Sequence, residues 1–347
     1  MNARLWDSRQ PADPEFACAW NAKLAAAPHA NFAMDLAYLG WEAAHGRHAL
    51  AALVEDSTRR GALVLRREGG GLICGQPWRW HALVEGKSPD QPVGLDADDA
   101  SWMLDWARRL AERHPVRCFF PVAPPRGTAG YHAYTTVLYS IAHSDDELQR
   151  AMHPSKRRMI RRAQREGYTV VEGGDLDGLK AFDRLVRESQ LRRGHAAEPD
   201  SEAVPAPGEG WREWEHPWMW LLLALKDGRV VSGLGDGVRP GGMMDGRKGA
   251  TAAVARRDGA FALLSYEEAR RGRDRGFRWI NLGGNTTFKR EFAGTLGTSV
   301  SLHCWLAGGP MWGVPNHVET AWHRARARAG SWAGRLRRNA PGATEAQ

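Results

Sequence analysis

The sequence predicts an α/β (α+β) protein built as two tandem domains, each a mixed sheet flanked by helices. Three observations carry this. The chain has 347 residues, too long for one ordinary domain and suited to two. Short β-type runs are interspersed with longer amphipathic helical segments, the pattern of a layered α/β architecture. The order strand, helix, strand, with a hairpin in the middle, occurs on both sides of residue 145, which points to a duplicated domain. The expected units are residues 1–145, residues 146–307, and a basic, partly disordered tail over 308–347.

In the first unit, Ala17 to Ala27 reads as a helix stopped by Pro28, and Asn31 to Gly46 as a second short element. Gly61 to Arg67 and Leu72 to Trp80 read as two strands of a hairpin around the glycine turn after Glu68. Asp96 is placed to cap a helix running to Arg113, with Trp102, Leu104 or Trp106, and Leu110 on its apolar stripe. Pro115 to Phe120 and Val137 to Ile141 are short buried strands.

In the second unit, Ser144-Asp145-Asp146-Glu147 opens a helix with acids in its first turn, where the helix dipole favours them. Pro154 divides the helical stretch that follows, and Gly167 ends it. Tyr168 to Glu172 is a strand, and Leu176 to Arg192 a long amphipathic helix. Residues 194–210, rich in Pro, Ala, Gly and Glu, read as a mobile loop. Trp218 to Lys226 and Arg229 to Asp236 form a hairpin about Asp227-Gly228. A strand near Met243, a helix over Ala260 to Gly272, and strands at Arg278 to Leu282 and Leu296 to Trp305 complete the unit.

Composition narrows the function classes. The formal net charge is +8, which favours an anionic partner such as a phosphate, a nucleotide, tRNA or a lipid head group, or reflects an Arg-rich proteome. No apolar stretch is long enough to span a bilayer and the N-terminus lacks a signal core, so a cytoplasmic protein without a transmembrane segment is expected. Cys18, Cys74, Cys118 and Cys304 lack metal-ligand spacing and read as buried thiols. The sixteen tryptophans are expected mainly in the core or at interfaces.

Four segments could carry chemistry. Between Lys156 and Arg165 lie six basic side chains, Lys156, Arg157, Arg158, Arg161, Arg162 and Arg165. On a helix they form a strip that either neutralises phosphates or is simply solvated. Arg192 and Arg193 end the long helix, placed for bidentate phosphate or carboxylate contact or for complementing the helix dipole. Arg256, Arg257 and Gly259 form a basic, glycine-containing loop before a helix, where free N–H groups bind anions; Phe261 stands where a diphosphate motif would place a small residue. Lys289, after Gly283-Gly284, projects beside a strand end, either as a surface lysine or as a cation that stabilises an oxyanion.

Taken together, LxxxMHPSKRRMIRRAQREGYTV, FDRLVRESQLRRG, LLLALKDGRVVSG, GAFALLSYEEARRGRDRGFRWINLGG and FKREFAGTLG resemble the C-terminal half of Fem-type aminoacyltransferases, over Tyr134 to Trp305. The resemblance implies two acetyltransferase-like (GNAT) domains with mixed, mostly antiparallel sheets. It implies amide bond formation between an activated acyl donor and an amine acceptor, such as a peptidoglycan precursor or a small metabolite. Aminoacyl-tRNA is the favoured donor and acyl-CoA the alternative, as a co-substrate rather than a tightly bound cofactor. Lys289 corresponds to the lysine of the family's FK..F segment, implied to contact the acceptor or the charged intermediate. Arg192 or Arg193 corresponds to an arginine implied to bind acceptor phosphate, and the Lys156 to Arg165 strip to the basic helix that opens the second domain. The coiled-coil arm of some tRNA-using members has no counterpart here. A peripheral membrane contact, and a non-catalytic module binding nucleic acid or anionic lipid, are further alternatives.

Such chemistry needs a deprotonated amine, aligned reactants and a stabilised oxyanion, and no covalent enzyme intermediate. Asp236 and Asp245 are the candidate bases, with turn formation as the structural alternative. No spacing of Ser, His and Asp points to a hydrolase.

Overall fold

The computed structural model describes residues 2–27, 29–68, 71–75, 81–85, 95–112, 114–192, 216–239 and 241–307. Arg193, the 194–210 loop, residues 76–80 of the first expected hairpin and the 308–347 tail lie outside the described residues.

The first half runs β1 (Asn2–Asp7), α1 (Pro14–Ala25), α2 (Leu36–Ala44), β2 (Ala49–Glu55), β3 (Arg60–Glu68), β4 (Gly71–Cys74), β5 (Ala82–Val84), α3 (Ala97–Ala111), β6 (Val116–Phe120) and β7 (Gly130–Ser140). The second runs α4 (Asp145–Ala151), α5 (Pro154–Arg165), β8 (Thr169–Glu172), α6 (Leu176–Arg192), β9 (Met219–Lys226), β10 (Arg229–Gly237), β11 (Met243–Thr251), α7 (Ala260–Asp274), β12 (Trp279–Asn281), α8 (Thr287–Ala293) and β13 (Gly297–Ala307).

Local chemistry explains the boundaries. Asp96 and Asp99 form a reciprocal capping box on α3, and Ser144 and Glu147 do the same on α4. His153 caps α5 and Pro154 is its first residue, so α4 and α5 part there. The β9–β10 hairpin turns on Asp227 and Gly228, with φ of 51° and 72°, conformations that Asp-Gly adopts readily.

The described strands form one sheet in the order β1-β2-β3-β4-β6-β13-β7-β12-β11-β10-β9-β8, with β5 beside β3. Pairing is antiparallel except for β4 with β6 and β11 with β12. The mixed, mostly antiparallel α/β character expected from the sequence is therefore present. The sheet is continuous across residue 145: β13, last in the chain, lies between β6 and β7, and β7 bonds in turn to β12. Trp305 of β13 is fully buried in the first-half core, edge-on to Phe120 at 5.5 Å, so the two halves share strands and side chains. In the second half, α5 and α7 cover one face of the sheet and α6 the other. Of the nine tryptophans among the described residues, eight are buried, in keeping with a core role. Cys74, Cys118 and Cys304 are buried, but Cys18 is exposed on α1, a correction to the expectation of four buried thiols.

Two stability predictions follow from close approaches. Gly294 has φ of 55°, and a Cβ there would overlap the carbonyl oxygen of Ala151. Gly294→Ala combines left-handed strain with overpacking and is expected to cost about 2–5 kcal/mol, read as a lower urea midpoint. In the first half, Arg66 binds Glu42 at 2.7 Å, the Tyr38 hydroxyl donates to Glu42, and His81 lies 2.9 Å from the guanidinium. Glu42→Ala leaves the largely enclosed Arg66 without its counter-charge and is expected to cost up to about 3 kcal/mol in the same measurement.

Candidate functional site

The site forms where two parallel strands part. β11 and β12 are in register from Met243 with Trp279 to Asp245 with Asn281, and there β12 ends while β11 runs on. Gly246 follows at the divergence, where a side chain would press on the carbonyls of Asn281 and Leu282. On the β10 side, the register steps from Gly235 with Lys248 to Asp236 with Gly246, a bulge at the same level.

The two faces of the sheet carry different polar groups at this point. Asp236 is opposite Gly246 and Trp220 and shares the α7 face, where Leu222 and Leu234 join the core under that helix. Asp245 is opposite Gly237 and Asn281, on the reverse face. There Asn281 donates to Asp245 at 3.1 Å, and Thr136 donates to Asn281. The structure thus places both candidate bases in strands rather than turns, buried, and pointing to opposite sides of the sheet.

On the α7 face, Asp236 meets Glu268. Both are almost completely buried. Burial is the main cause that pushes both carboxyls upward, Asp236 to about 8, and the proximity of the two groups raises Glu268 further. Asp236 accepts no hydrogen bond from a described N–H or hydroxyl, so a proton retained by the pair is what can join the two carboxyls. The Tyr139 hydroxyl is buried in the same island, and burial together with the Glu268 charge raises its pKa. Sequence reading missed Glu268 and Tyr139. The signal for Glu268 was its position: it stands four residues after Leu264 and four before Gly272, both buried, and so on the core side of α7.

Lys289 forms the open edge of this island. Its ammonium lies beside the strand end but is held there rather than left projecting. α8, capped by Thr286, folds back, and the Lys289 ammonium donates to the carbonyl of Leu282 beside the Gly283–Gly284 turn. Burial pushes its pKa down, opposed by the charge of Glu268. Thr136, Asn281 and Gly283 fix the turn: the Asn281 side-chain oxygen Oδ1 also accepts from the Gly283 N–H at 3.1 Å.

The remaining candidates fall elsewhere. Lys156 leaves the basic strip: it is buried, paired with Glu291 at 3.1 Å and held over the Phe288 ring at 4.6 Å, because its position on α5 faces α8. Arg157 is half-buried and bonds the last carbonyls of α4, those of Gln149 and Arg150. Arg162 pairs with Asp258 at 3.0 Å, while Arg158, Arg161 and Arg165 are exposed. Arg192 donates to the Thr251 carbonyl at 2.6 Å, six residues and about 20 Å along β11 from Asp245. Arg256 and Arg257 are exposed, whereas Gly259 is buried.

The start of α7 packs against α5. Gly259, with φ of 87°, sits so tightly under α5 that a Cβ would overlap the Met159 carbonyl, and Ala260 is buried with it. Asp258 stands at the same point, held by Arg162 and by the Tyr168 hydroxyl at 2.9 Å. Phe261 lies against Gly249 of β11 and 5.4 Å from Phe288, which stacks on Phe292 at 5.9 Å. Asp258 thus stands beside this helix start, whose first turn carries no side-chain cap. Among the described residues, no group of three His, Cys, Asp or Glu side chains is placed to hold a metal ion, and no helix is long and apolar enough to cross a membrane.

Comparison with known proteins finds no matching family model and no matching curated protein. Solved structures do match. FemX superposes with a TM-score of 0.60 at 13% identity, covering 90% of this chain and 99% of FemX. A tandem GNAT protein from the clavulanic acid biosynthesis pathway covers 89% of this chain and 99% of its own, at TM-score 0.46 and 14% identity. A conserved protein of unknown function from Bacteroides thetaiotaomicron covers 84% and 97%, at TM-score 0.49 and 14% identity. At these identities the FemX match speaks to the fold alone: the chain has the fold of FemX.

Proposed function

We propose that this protein is an N-acyltransferase that joins an aminoacyl ester, carried on tRNA, to an amine, and that the reaction takes place at the strand split in front of Lys289. The observation that carries this reading is the half-buried Lys289 ammonium, held at the strand end above a buried carboxyl pair. The FemX fold and the basic surface of α5 support it.

The amine nitrogen attacks the ester carbonyl carbon. A C–N bond forms, negative charge collects on the carbonyl oxygen, and the ester C–O bond then breaks. The proton lost by the amine is returned to the departing ribose hydroxyl. Lys289 supplies positive charge at the point where the oxyanion develops, in surroundings that burial makes less polar than water. Asp236 and Glu268 are enclosed beneath it and act by positioning Lys289, not by touching the substrates. Asn281 and Thr136 hold the turn that carries the Leu282 carbonyl to which Lys289 is tethered.

The Asp258 carboxylate beside the start of α7 counts against a diphosphate there and so favours an aminoacyl ester over an acyl thioester of coenzyme A. Acetylation footprinting read by mass spectrometry tests the reading. A 3′-aminoacylamino-adenosine, the donor's end with an amide in place of the ester, is expected to protect Lys289, while coenzyme A at the same concentration leaves its labelling unchanged. Protection by coenzyme A and none by the adenosine analogue would reverse the assignment of the donor.

A further inference from the structure

A second polar group reaches the Gly283–Gly284 turn, from β7. A Cβ built on Gly284 would lie 2.7 Å from the Tyr134 hydroxyl oxygen and 3.7 Å from the Lys289 ammonium nitrogen. Gly284 has φ of 80° and no side chain, so the hydroxyl and the ammonium flank the same small niche. Gly284 is buried and floors it, whereas Gly283, Tyr134 and Lys289 are partly exposed, which leaves the niche open to a substrate. The Tyr134 hydroxyl makes no hydrogen bond to a described residue. Burial pushes its pKa up, so it keeps its proton and stays a donor. The groups that place Lys289 also place Tyr134. Thr136, two residues along β7 and on the same face as Tyr134, donates to the Asn281 Oδ1 that holds the Gly283 N–H. The Leu282 N–H donates to the Val137 carbonyl at 2.9 Å, and the Leu282 carbonyl accepts from Lys289. One turn thus ties the strand that carries Tyr134 to the ammonium.

We propose that the niche over Gly284 receives the carbonyl oxygen of the donor ester and that Tyr134 is a catalytic residue there, the neutral partner of Lys289 in holding the oxyanion. The inference rests on the N-acyltransferase reading above and adds to it a residue that touches the reacting atoms. Donor chemistry selects the occupant. An ammonium has donors only, and the Leu282 carbonyl beside it is already taken up by Lys289, so the niche suits an oxygen carrying negative charge and repels a protonated amine. As the amine attacks, the carbonyl π pair becomes a lone pair on that oxygen, which accepts from the Tyr134 hydroxyl and the Lys289 ammonium. When the tetrahedral species collapses, the pair re-forms the C=O bond and the ester C–O bond breaks. Both donors keep their protons throughout, and the amine's proton passes to the ribose hydroxyl as before. Lys289 supplies charge, and the Tyr134 hydroxyl supplies a directed hydrogen bond that strengthens as charge collects on the oxygen.

Two probes separate the oxyanion from the ground state: an adenosine 3′-aminoalkylphosphonate, tetrahedral and anionic where the ester carbonyl would be, and the planar 3′-aminoacylamino-adenosine. Full-length wild type, Tyr134→Phe and Lys289→Ala are titrated with each by calorimetry. Tyr134→Phe keeps the ring and removes only the hydroxyl. It is expected to weaken the phosphonate by about 10- to 100-fold, the loss of one hydrogen bond to a charged group, while the planar amide changes by less than about twofold and the melting temperature stays at the wild-type value. Equal losses on both probes would show that Tyr134 shapes the pocket without meeting the oxyanion, and would overturn the proposal. Undiminished phosphonate binding by Tyr134→Phe would overturn it too. In that case weaker phosphonate binding by Lys289→Ala leaves the proposed function standing, and unchanged binding there brings down both. Neither probe bound by the wild type would overturn the aminoacyl ester reading together with the role of Tyr134.

Discussion

Lys289→Ala is expected to lower amide formation by about 10²–10³-fold, the effect of removing one group that stabilises an oxyanion. Lys289 is the one charged group of the site that is both tethered to the strand end and open enough to meet a substrate; Asp236 and Glu268 beneath it are enclosed. The loss should fall on kcat more than on KM, because the charge it stabilises exists only after attack has begun. Folding should be little affected. The fixed parts of α8 are the Thr286 cap, buried Phe292 and the Phe288–Phe292 stack, and none depends on the ammonium. A melting temperature near wild type together with unchanged turnover would remove Lys289 from the chemistry.

The second large effect concerns the buried carboxyl pair. Asp236 has a folded-state pKa pushed up to about 8 from 3.8, chiefly by burial, and Glu268 is raised in the same direction. In the unfolded chain both ionise near their ordinary values. Between about pH 4 and pH 8 the folded state therefore holds more protons than the unfolded state. The sign is fixed by that difference: the contribution to stability is complete below the unfolded pKa and is lost as pH rises through the folded one. Asp236→Asn removes the ionisation and should flatten this slope, by an amount on the order of a few kcal/mol over the window. Urea midpoints at pH 5 and pH 9 read it out. Wild type should weaken toward pH 9 relative to the variant; parallel behaviour of the two proteins would show that the pair does not hold its proton.

Much of the second half was legible because its signals are local. Asp227-Gly228, the Ser144–Glu147 box, Pro154 and Gly167 each fix backbone conformation through their own side chains or through lack of one. Sheet order was not legible. The insertion of β13 between β6 and β7 joins residues more than 150 positions apart, and no nearby residue encodes it. The first part of β7, Gly130 to Thr135, lies at a half-exposed end of its strand and lacks the apolar run that marked Val137 onward.

The site was legible in its residue types and less so in its directions. Lys289 was singled out by its place after Gly283-Gly284, but its return to the Leu282 carbonyl depends on how α8 folds. Lys156 looked like one more member of a basic run until packing against Glu291 and Phe288 set it apart. Asp236 and Asp245 looked equivalent, and the strand register separates them onto opposite faces. Glu268 carried a quiet signal, an acid on the core side of an amphipathic helix, whose meaning emerges once Asp236 is seen beside it.

The most direct measurement supplies the purified protein with tRNA charged with labelled amino acids and with labelled short-chain acyl-CoA in separate reactions, each with an amine-bearing metabolite extract. Label is followed into amide-linked products with and without ribonuclease pretreatment. The expected result is amide product from charged tRNA that ribonuclease abolishes, with none from acyl-CoA. Product formed from acyl-CoA and none from charged tRNA would contradict the account.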